Sequence, residues 1–310
     1  MKKSGRTFVI IELLLAAFAL LCIVMMVRSR STPEKKKIAV IVEDSENDMW
    51  TPMKDGMREA GKEQNVDIRF VTTGTFDDAD DEIKSLDDAV SDGCDGVLIY
   101  PISERTVKLI KKKSYRIPIM LIIGVTGYDM EGISIDAESV GRKLAEMIIE
   151  DNGDGRTIGI ISGKRDDRTA SLIKQGLDAD LEGHGYTEIF FRRGANESFI
   201  RKNKPDVLVC LDENAISTAA QLVGEKRLSG VNVYGCGFSQ KDIYQLDMEN
   251  IRGLEYLDVF RIGYYGVTEM AGRVHGSLSK TYSRVVADRA IRKQDIFKDN
   301  GILNTFSRKR

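Results

Sequence analysis

The sequence predicts an α/β protein whose body has two similar halves, each built on a parallel sheet. Short apolar runs rich in branched residues alternate along the chain with segments in which apolar residues recur every three or four positions. Buried parallel strands and amphipathic helices have these two signatures, and their alternation predicts helices on both faces of a sheet. The alternation restarts near residues 137–156, with no flexible linker. We therefore expect two lobes joined by a hinge.

The composition is that of an ordinary globular protein with an acidic body. The chain has 310 residues, of which 42% are hydrophobic and 30% charged, enough for about two domains. The net charge is −2, but the first 37 residues hold eight Lys/Arg and two Glu, so the rest of the chain carries −8. An acidic body with no helix-turn-helix-sized segment before the first strand argues against nucleic acid as a partner. The four cysteines lack metal-site or disulfide spacing and are predicted to be small buried residues.

Residues 1–37 are predicted to hold a transmembrane helix and a basic linker. Three basic residues precede an apolar segment, 8–27, that is broken only by Glu12 and is long enough to cross a bilayer. A cleaved signal peptide is the alternative, but no A-x-A type cleavage site follows Val27. Cys22 suggests a lipoprotein, although the small residue expected before it is missing. We expect an uncleaved single-pass anchor in the cell membrane, with the body outside the cytoplasm.

The first unit of the body, residues 38–61, combines a strand, an acidic loop and a helix. Its first five residues are almost wholly apolar, and Trp50, Met53 and Met57 then recur at helical spacing. Loops beyond the carboxyl ends of strands bind ligands in open α/β sheets, so we expect the loop before Trp50 to contact one. The predicted strands of this half are residues 38–42, 67–71, 96–100, 117–123 and 133–135.

Four aspartates, Asp77, Asp78, Asp80 and Asp81, open the second helix of this half. A metal site is one hypothesis for such a cluster. Acidic side chains in the first turn of a helix also satisfy free N–H groups and the helix dipole, and this explanation is favoured. We therefore expect no metal site.

The second half repeats the pattern. Its predicted strands are residues 157–162, 187–191, 207–211, 231–236 and 253–256. Its predicted helices are residues 137–150, 167–182, 197–203, 214–226 and 239–248, and a last helix runs from 258 to about 278. The predicted division of the chain is residues 1–37 for the anchor, 38–136 plus part of 259–310 for the N-terminal lobe, and 137–258 for the C-terminal lobe.

Five stretches, in order, carry a resemblance to a known family. They are IAVIVEDSENDMWTPMKDGMREAG at 38–61, DGVLIYPIS at 95–103, IDAESVGRKLAEMI at 135–148, VLVCLDENAISTAAQLV at 207–223 and GLEYLDVFRIGYYGV at 253–267. Together they resemble the type 1 periplasmic binding proteins, specifically the ribose-binding-like sugar binders, from residue 38 to about 301. The resemblance implies two Rossmann-like lobes joined by a hinge, which close over a small ligand without chemistry and dock to a membrane permease or receptor. It implies neither an enzyme nor a cofactor.

The resemblance also implies ligand contacts in the first lobe. Asn47 matches a polar contact, and Trp50 matches an aromatic residue that stacks on a sugar ring, with burial in the core as the alternative for Trp50. Glu43 lies with two further acidic residues in the same loop, and we expect it to bind a cationic or polyhydroxyl ligand. An Asp-Arg pair of the sugar binders is absent after the fourth strand, where this chain has Ile123, Gly124 and Val125.

In the second lobe the resemblance is mixed. Asp212 belongs to a matching Asp-Glu pair, and Asp258 lies in the return crossover. Arg168 is near the family's arginine position, which is Ser171 here, and Phe238 follows the strand where an aspartate is expected. Because a sugar site without its polar pairs would be poorly satisfied, the ligand is expected to be sugar-like or another polar solute, not a common monosaccharide.

Catalysis has little support in the sequence. His184 and His275 are not beside an obvious nucleophile, and Ser162-Gly163-Lys164 lacks the remaining residues of a P-loop. Three classes remain. The first is a solute-binding protein that delivers ligand to an ABC transporter, and the alternative is a membrane-tethered sensor that presents ligand to a receptor or histidine kinase. A transcription regulator of the lactose-repressor type would need a DNA-binding headpiece where this chain has its hydrophobic segment.

Overall fold

The computed structural model describes residues 12, 15–20, 35–43, 49–125, 130–163, 168–194, 196–276 and 283–298. The chain divides into two compact units, Met1–Lys35 and Lys36–Arg310. In the first unit, residues 12 and 15–20 are helical. Within the described part of the chain, no helix combines the length and apolar character needed to cross a membrane. Most of the apolar segment on which the anchor prediction depends lies outside the described residues.

The second unit contains two six-stranded sheets. The first has the order β11-β5-β4-β3-β1-β2 with parallel pairing throughout. Its strands are β1 Lys36–Glu43, β2 Val66–Thr73, β3 Gly96–Ile99, β4 Ile119–Val125, β5 Gly132–Ile135 and β11 Arg284–Val285. The second has the order β12-β10-β9-β8-β6-β7, parallel except for the antiparallel pair of β12 with β10. Its strands are β6 Thr157–Ser162, β7 Thr187–Arg193, β8 Val207–Cys210, β9 Asn232–Gly237, β10 Gly253–Leu257 and β12 Asp288–Ile291.

Nine α-helices are described in this unit, together with short 3₁₀ turns at Glu182–His184 and Lys293–Asp295. In the first lobe they are α1 Trp50–Glu63, α2 Ala79–Ser91, α3 Glu104–Lys113 and α9 Val259–Val274. In the second lobe they are α4 Ala137–Asn152, α5 Arg168–Leu181, α6 Glu197–Asn203, α7 Glu213–Gly224 and α8 Gln240–Asp247. The two-lobe α/β fold with parallel sheets is therefore confirmed.

The first strand shows why the apolar runs are continuous. Ile38, Val40 and Val42 contribute to one buried cluster, whereas Ala39 and Ile41 contribute to another. Successive strand side chains point to opposite faces, so β1 is buried on both sides of its sheet. Within the described residues, the cysteines 94, 210 and 236 are free and buried, as the sequence predicts.

Helix starts follow the capping chemistry that the sequence suggests. The Asp78 carboxylate accepts hydrogen bonds from the backbone N–H groups of Asp80 and Asp81, so this aspartate cluster opens a helix as predicted. Within the described ranges, no group of three or more His, Cys, Asp and Glu is arranged to hold a metal ion.

The chain crosses between the two sheets three times, and this connectivity defines the hinge. The crossovers join β5 to α4, β10 to α9, and β11 to β12. The third crossover and its two strands are absent from the sequence-based prediction, because strands of two and four residues with Ile291 as their one buried apolar side chain carry no apolar pattern. The last helix was also predicted too long, since α9 ends at Val274 and His275 follows as its C-cap.

Candidate functional site

The candidate site lies where the carboxyl ends of both sheets meet the crossovers. β5 ends directly before Asp136 and β10 ends directly before Asp258, and each aspartate caps the helix that begins in the other lobe. One buried apolar cluster continues across this junction, from Val42 and Trp50 of the first lobe to Leu211 of the second. Ligands of open parallel sheets bind beyond the carboxyl ends of the strands, so the interlobe junction is where this fold places a ligand.

Asp212 has the most informative side chain at this junction. It is the N-cap of α7, and its Oδ1 atom accepts hydrogen bonds from the backbone N–H groups of Asn214 at 3.0 Å and Ala215 at 3.2 Å. Its Oδ2 atom is buried and has no hydrogen-bond partner among the described residues. Burial raises the pKa of Asp212, and the two backbone N–H groups oppose that rise. An unpartnered buried carboxylate oxygen is costly and is satisfied by a ligand that donates a hydrogen bond.

Trp50 is buried, with 2% of its surface exposed. Its ring packs edge-on against Tyr100, with ring centroids 5.5 Å apart and an interplanar angle of 74°. This burial agrees with the core alternative for Trp50. Stacking on a ligand, which stays a prediction, would require a face of the indole ring to become accessible. Tyr100, which follows β3 and is half-buried, was not selected from the sequence.

Phe238 is an aromatic residue near the position where the family resemblance implies an aspartate. It follows β9, is half-buried, and packs against the cluster that crosses the junction. The backbone N–H groups of Phe238 and Ser239 both donate to the Asp242 carboxylate at 3.0 Å, in a capping box that opens α8. The backbone between β9 and α8 is therefore held in place by the cap of α8.

Asp258 caps the crossover helix α9. Its Oδ1 atom accepts a hydrogen bond from the Arg261 N–H at 3.0 Å, and its Oδ2 atom lies 3.3 Å from the Arg261 Nε atom. Only 16% of the Asp258 side chain is exposed. Both oxygens thus have partners within the protein, and a direct contact between Asp258 and the ligand stays a prediction.

Arg168 begins α5 on the second-lobe side of the junction, and its side chain is exposed. The pKa of Glu104, at the start of α3 in the first lobe, is lowered by the hydrogen bond and charge of Lys108 and additionally by the charge of Arg168. The two lobes are therefore close enough at these helix starts for their charges to interact.

The two remaining predicted contacts, Glu43 and Asn47, were both expected in the first loop, but β1 extends one residue further than predicted and includes Glu43. Glu43 is the last residue of β1 and pairs with Thr73 in the sheet, but its side chain lies outside what the structure describes. Asn47 lies outside the described residues. Their contacts with a ligand stay predictions.

Ile123 marks a strained point in the first-lobe wall that the sequence did not reveal. The pairing of β4 with β5 shifts register between Ile122 and Gly124, and Ile123 has a φ of 52°. A β-branched residue in the left-handed region is a strained conformation, and such strain clusters at ligand clamps and active sites. In the sequence, the neighbouring Gly124 is the one feature that indicates this irregularity, because a glycine inside a strand suggests a bulge.

Comparison with known proteins agrees with this geometry. A family model described as "Periplasmic binding protein domain" matches residues 38–277. The D-ribose/D-allose-binding protein of Pseudomonas aeruginosa is 22% identical over 227 residues, which cover 66% of this chain and 71% of that protein.

Several solved structures share the fold. A carbohydrate transporter solute-binding protein from Agrobacterium radiobacter, in complex with D-arabinose, has a TM-score of 0.79 at 19% identity and covers 88% of this chain and 99% of that chain. The glucose-galactose binding protein GanP from Geobacillus stearothermophilus has a TM-score of 0.76 at 18% identity, covering 85% and 99%. The XylFII-LytSN complex has a TM-score of 0.72 at 17% identity, covering 85% and 100%. At these identities the likeness shows the fold alone.

Proposed function

Because the chain belongs to the periplasmic binding protein domain family, we propose that it captures a small sugar-like ligand between its two lobes and presents it to an ABC transporter. The family consists of non-enzymatic solute-binding proteins, many of them sugar binders, and this chain is not an enzyme. The observation that carries the proposal is the buried, unpartnered Oδ2 atom of Asp212 at the junction of the lobes. A ligand hydroxyl would donate the missing hydrogen bond.

The relatives support a sugar-like ligand, whereas the site residues argue for a departure from common monosaccharides. The similar proteins bind D-ribose or D-allose, D-arabinose, and glucose or galactose, by their descriptions. In this chain Ile123, Gly124 and Phe238 stand where the sugar binders place polar groups. We propose a sugar-like solute with an apolar face. Its contacts are Glu43, Asn47, Trp50, Arg168, Asp212, Phe238 and Asp258.

The hinge and the membrane tether complete the proposal. The N-terminal lobe comprises residues 38–136 plus part of 259–310, the C-terminal lobe comprises 137–258, and they close about the crossovers when ligand binds. The apolar segment 8–27, flanked by basic residues, anchors the body at the extracytoplasmic face of the membrane, where a permease would receive the ligand.

A membrane-tethered sensor is the second candidate function. The XylFII-LytSN complex contains a protein of this fold together with a second protein, so the scaffold can engage a protein partner. A tethered binder that presents its ligand to a receptor or histidine kinase fits the same cleft. Affinity purification of the full chain from its native membrane discriminates the two: a co-purifying permease supports transport, and a co-purifying kinase supports sensing.

The test of ligand capture is a thermal-shift screen of the full chain with sugars, polyols and amino sugars. A ligand at 100 times its dissociation constant stabilises the folded state by about 2.7 kcal/mol. The Asp212→Asn variant retains the α7 cap, because asparagine caps well, but replaces the acceptor oxygen, and we expect at least a tenfold loss of affinity. Asp88→Asn, an exposed change within α2, is the matched control. Equal affinity in both variants would contradict the role of Asp212.

A further inference from the structure

Glu255 is a buried acid with no ordinary partner. It lies in β10 with 0% of its surface exposed, and neither carboxyl oxygen accepts a hydrogen bond from an N–H or O–H group of the described residues. Glu82 is equally buried but accepts hydrogen bonds from the Thr106 hydroxyl at 2.6 Å and the Ile102 N–H at 3.2 Å. If Glu255 were ionised, its buried charge would have no hydrogen-bond donor, and this would cost much folding free energy.

Asp288 is the neighbour of Glu255 on the adjacent strand. In the antiparallel pair of β10 with β12, Leu257 is opposite Asp288 and Glu255 is opposite Ala290, so the two acids lie diagonally on one face of the sheet. The Lys143 Nζ atom of α4 lies 2.8 Å from the Asp288 Oδ2 atom, and only 6% of the Asp288 side chain is exposed. A hydrogen bond between the two carboxyl groups is possible only if one of them carries a proton.

The remaining charged and titratable groups near this cluster come from two elements. Glu146 of α4 adds a negative charge near Glu255, and Asp136, before α4, lies near Lys143. Cys236 of β9 lies on the other side of β10 from β12. Lys143 is therefore the one described cation that faces the Glu255–Asp288 pair, and a single ammonium cannot neutralise two carboxylates.

The position of these residues connects them with the hinge. Glu255 is two residues before Leu257, where β10 ends at the second crossover. Asp288 is the first residue of β12, directly after the third crossover. Lys143 belongs to α4, which begins at the first crossover. The cluster thus joins the second-lobe ends of all three crossovers.

We propose that Glu255 and Asp288 share one proton at neutral pH and that this pair, together with Lys143, forms a latch that fastens the three crossovers to the second lobe. Burial, assisted by Asp288, raises the pKa of Glu255 to about 10. Burial alone would raise the pKa of Asp288, but its hydrogen bonds with Glu255 and Lys143 outweigh burial and lower it. Loss of the proton to solvent at alkaline pH leaves two carboxylates in contact, and the latch opens. The inference does not depend on the identity of the ligand.

The first test detects the shared proton through the pH dependence of the unfolding equilibrium. An unfolded glutamate titrates near pH 4.3, so between about pH 6 and 9 the folded protein holds one proton that the unfolded chain releases. Stability from this proton is lost as the pH rises towards the folded pKa. The unfolding equilibrium constant of the full-chain protein, divided by that of Glu255→Gln, should increase about tenfold per pH unit across this range. Glu182→Gln, at an exposed site, is the control and should show no such increase. A ratio independent of pH for Glu255→Gln would overturn the proposal.

The second test does not depend on that variant remaining folded. The infrared spectrum of the wild-type protein should contain, at neutral pH, a protonated carboxyl band that disappears above about pH 10. Asp288→Asn should shift the band, because the hydrogen-bond acceptor changes. The protection of the backbone amides of residues 288–291, measured relative to the base-catalysed intrinsic exchange rate, should fall at the same alkaline pH in the wild type and not in Glu255→Gln. An unshifted band in Asp288→Asn, or equal exchange in wild type and Glu255→Gln at alkaline pH, would refute the latch.

Discussion

The two lobes use the same packing device at their crossovers. The helix that enters each lobe, α4 or α9, packs against the first helix after the first strand of that lobe, α5 or α1. Each crossover helix is capped by an aspartate and carries a glycine five residues later, Asp136 with Gly141 and Asp258 with Gly263. A repeated sequence pattern therefore builds the equivalent helix pair twice.

The glycines show how close these helices approach. A Cβ atom on Gly141 would lie 2.0 Å from the Ile173 carbonyl oxygen, and one on Gly263 would lie 2.2 Å from the Met53 carbonyl oxygen. The partner helices carry matching glycines, Gly176 and Gly56, whose added Cβ atoms would lie 2.0 and 2.1 Å from backbone oxygens. Backbone contacts backbone in both lobes, which leaves no space for a side chain.

The lobes differ in how the crossover helix holds the last strand. In the second lobe, Lys143 of α4 forms an ion pair with the buried Asp288 of β12. At the equivalent position in the first lobe, Tyr265 of α9 lies under the guanidinium of Arg284 of β11, 4.0 Å from the ring centroid. The Arg284 Nη2 atom also lies 2.9 Å from the Glu269 Oε1 atom of α9, and 42% of the Arg284 side chain is exposed. Both lobes thus have an ion pair between the crossover helix and the last strand. In the second lobe its strand partner, Asp288, is buried, whereas in the first lobe the strand partner, Arg284, is exposed and also contacts an aromatic ring.

Replacing a glycine at the helix contacts should lower the stability of the protein most, and by similar amounts in the two lobes. Gly141→Ala and Gly263→Ala should each lower the free energy of unfolding by about 2–3 kcal/mol, because overpacking forces the helices apart. Gly183→Ala, where nothing lies within 4 Å of the added Cβ atom, should be near neutral. Urea unfolding measures all three. A neutral Gly141→Ala beside a destabilising Gly263→Ala would show that the helix pairs are not equivalent.

Substituting the cations that hold the last strands, Lys143 and Arg284, should destabilise the protein to different extents in the two lobes. Lys143→Met leaves Asp288 without its cation, and we expect a loss of about 2 kcal/mol, less than for a fully buried pair because 36% of the Lys143 side chain is exposed. Arg284→Met removes a cation–π contact and the ion pair with Glu269, and it should cost about 1 kcal/mol or less because 42% of the Arg284 side chain is exposed. Urea midpoints at low and high salt compare the two. Equal losses would contradict the distinction between a desolvated and a solvated contact.

The crossover caps should give the smallest and most similar effects. Asp136→Ala and Asp258→Ala each remove the acceptor for a backbone N–H group, at 3.0 Å in both helices, and should cost about 1 kcal/mol. The asparagine variants should cost only a few tenths, because asparagine also caps. Thermal unfolding of the four variants checks this, and a large loss in Asp258→Asn would point to a further role for that carboxylate.

Strong local patterns predicted most of the fold. Residues 157–162 and 197–203 were predicted with the bounds that the structure has for β6 and α6, because a continuous apolar run specifies the strand and a capping asparagine specifies the helix start. β11 and β12 could not be predicted, since strands of two and four residues are too short for a periodic pattern and depend on partners far along the chain. Glu255 resembles an ordinary charged residue in the sequence, and its burial depends on β12, which begins 33 residues later.

The candidate site was predictable only where a residue has a local role. Asp212 follows a buried strand and caps a helix, so both the resemblance and the local pattern select it. The packing of Trp50 against Tyr100 joins two strand–helix units, and the strain at Ile123 arises from a register shift between β4 and β5. Neither can be obtained from the spacing of residues.

Hydrogen exchange of the full chain, with and without a ligand found in the thermal-shift screen, tests the central claim most directly. Capture between the lobes should slow exchange at strand ends in both lobes together, in peptides covering residues 96–104 and 207–215, and Asp212→Asn should abolish both effects at the same ligand concentration. Slower exchange in one lobe only, with the other unchanged, would contradict capture between the two lobes.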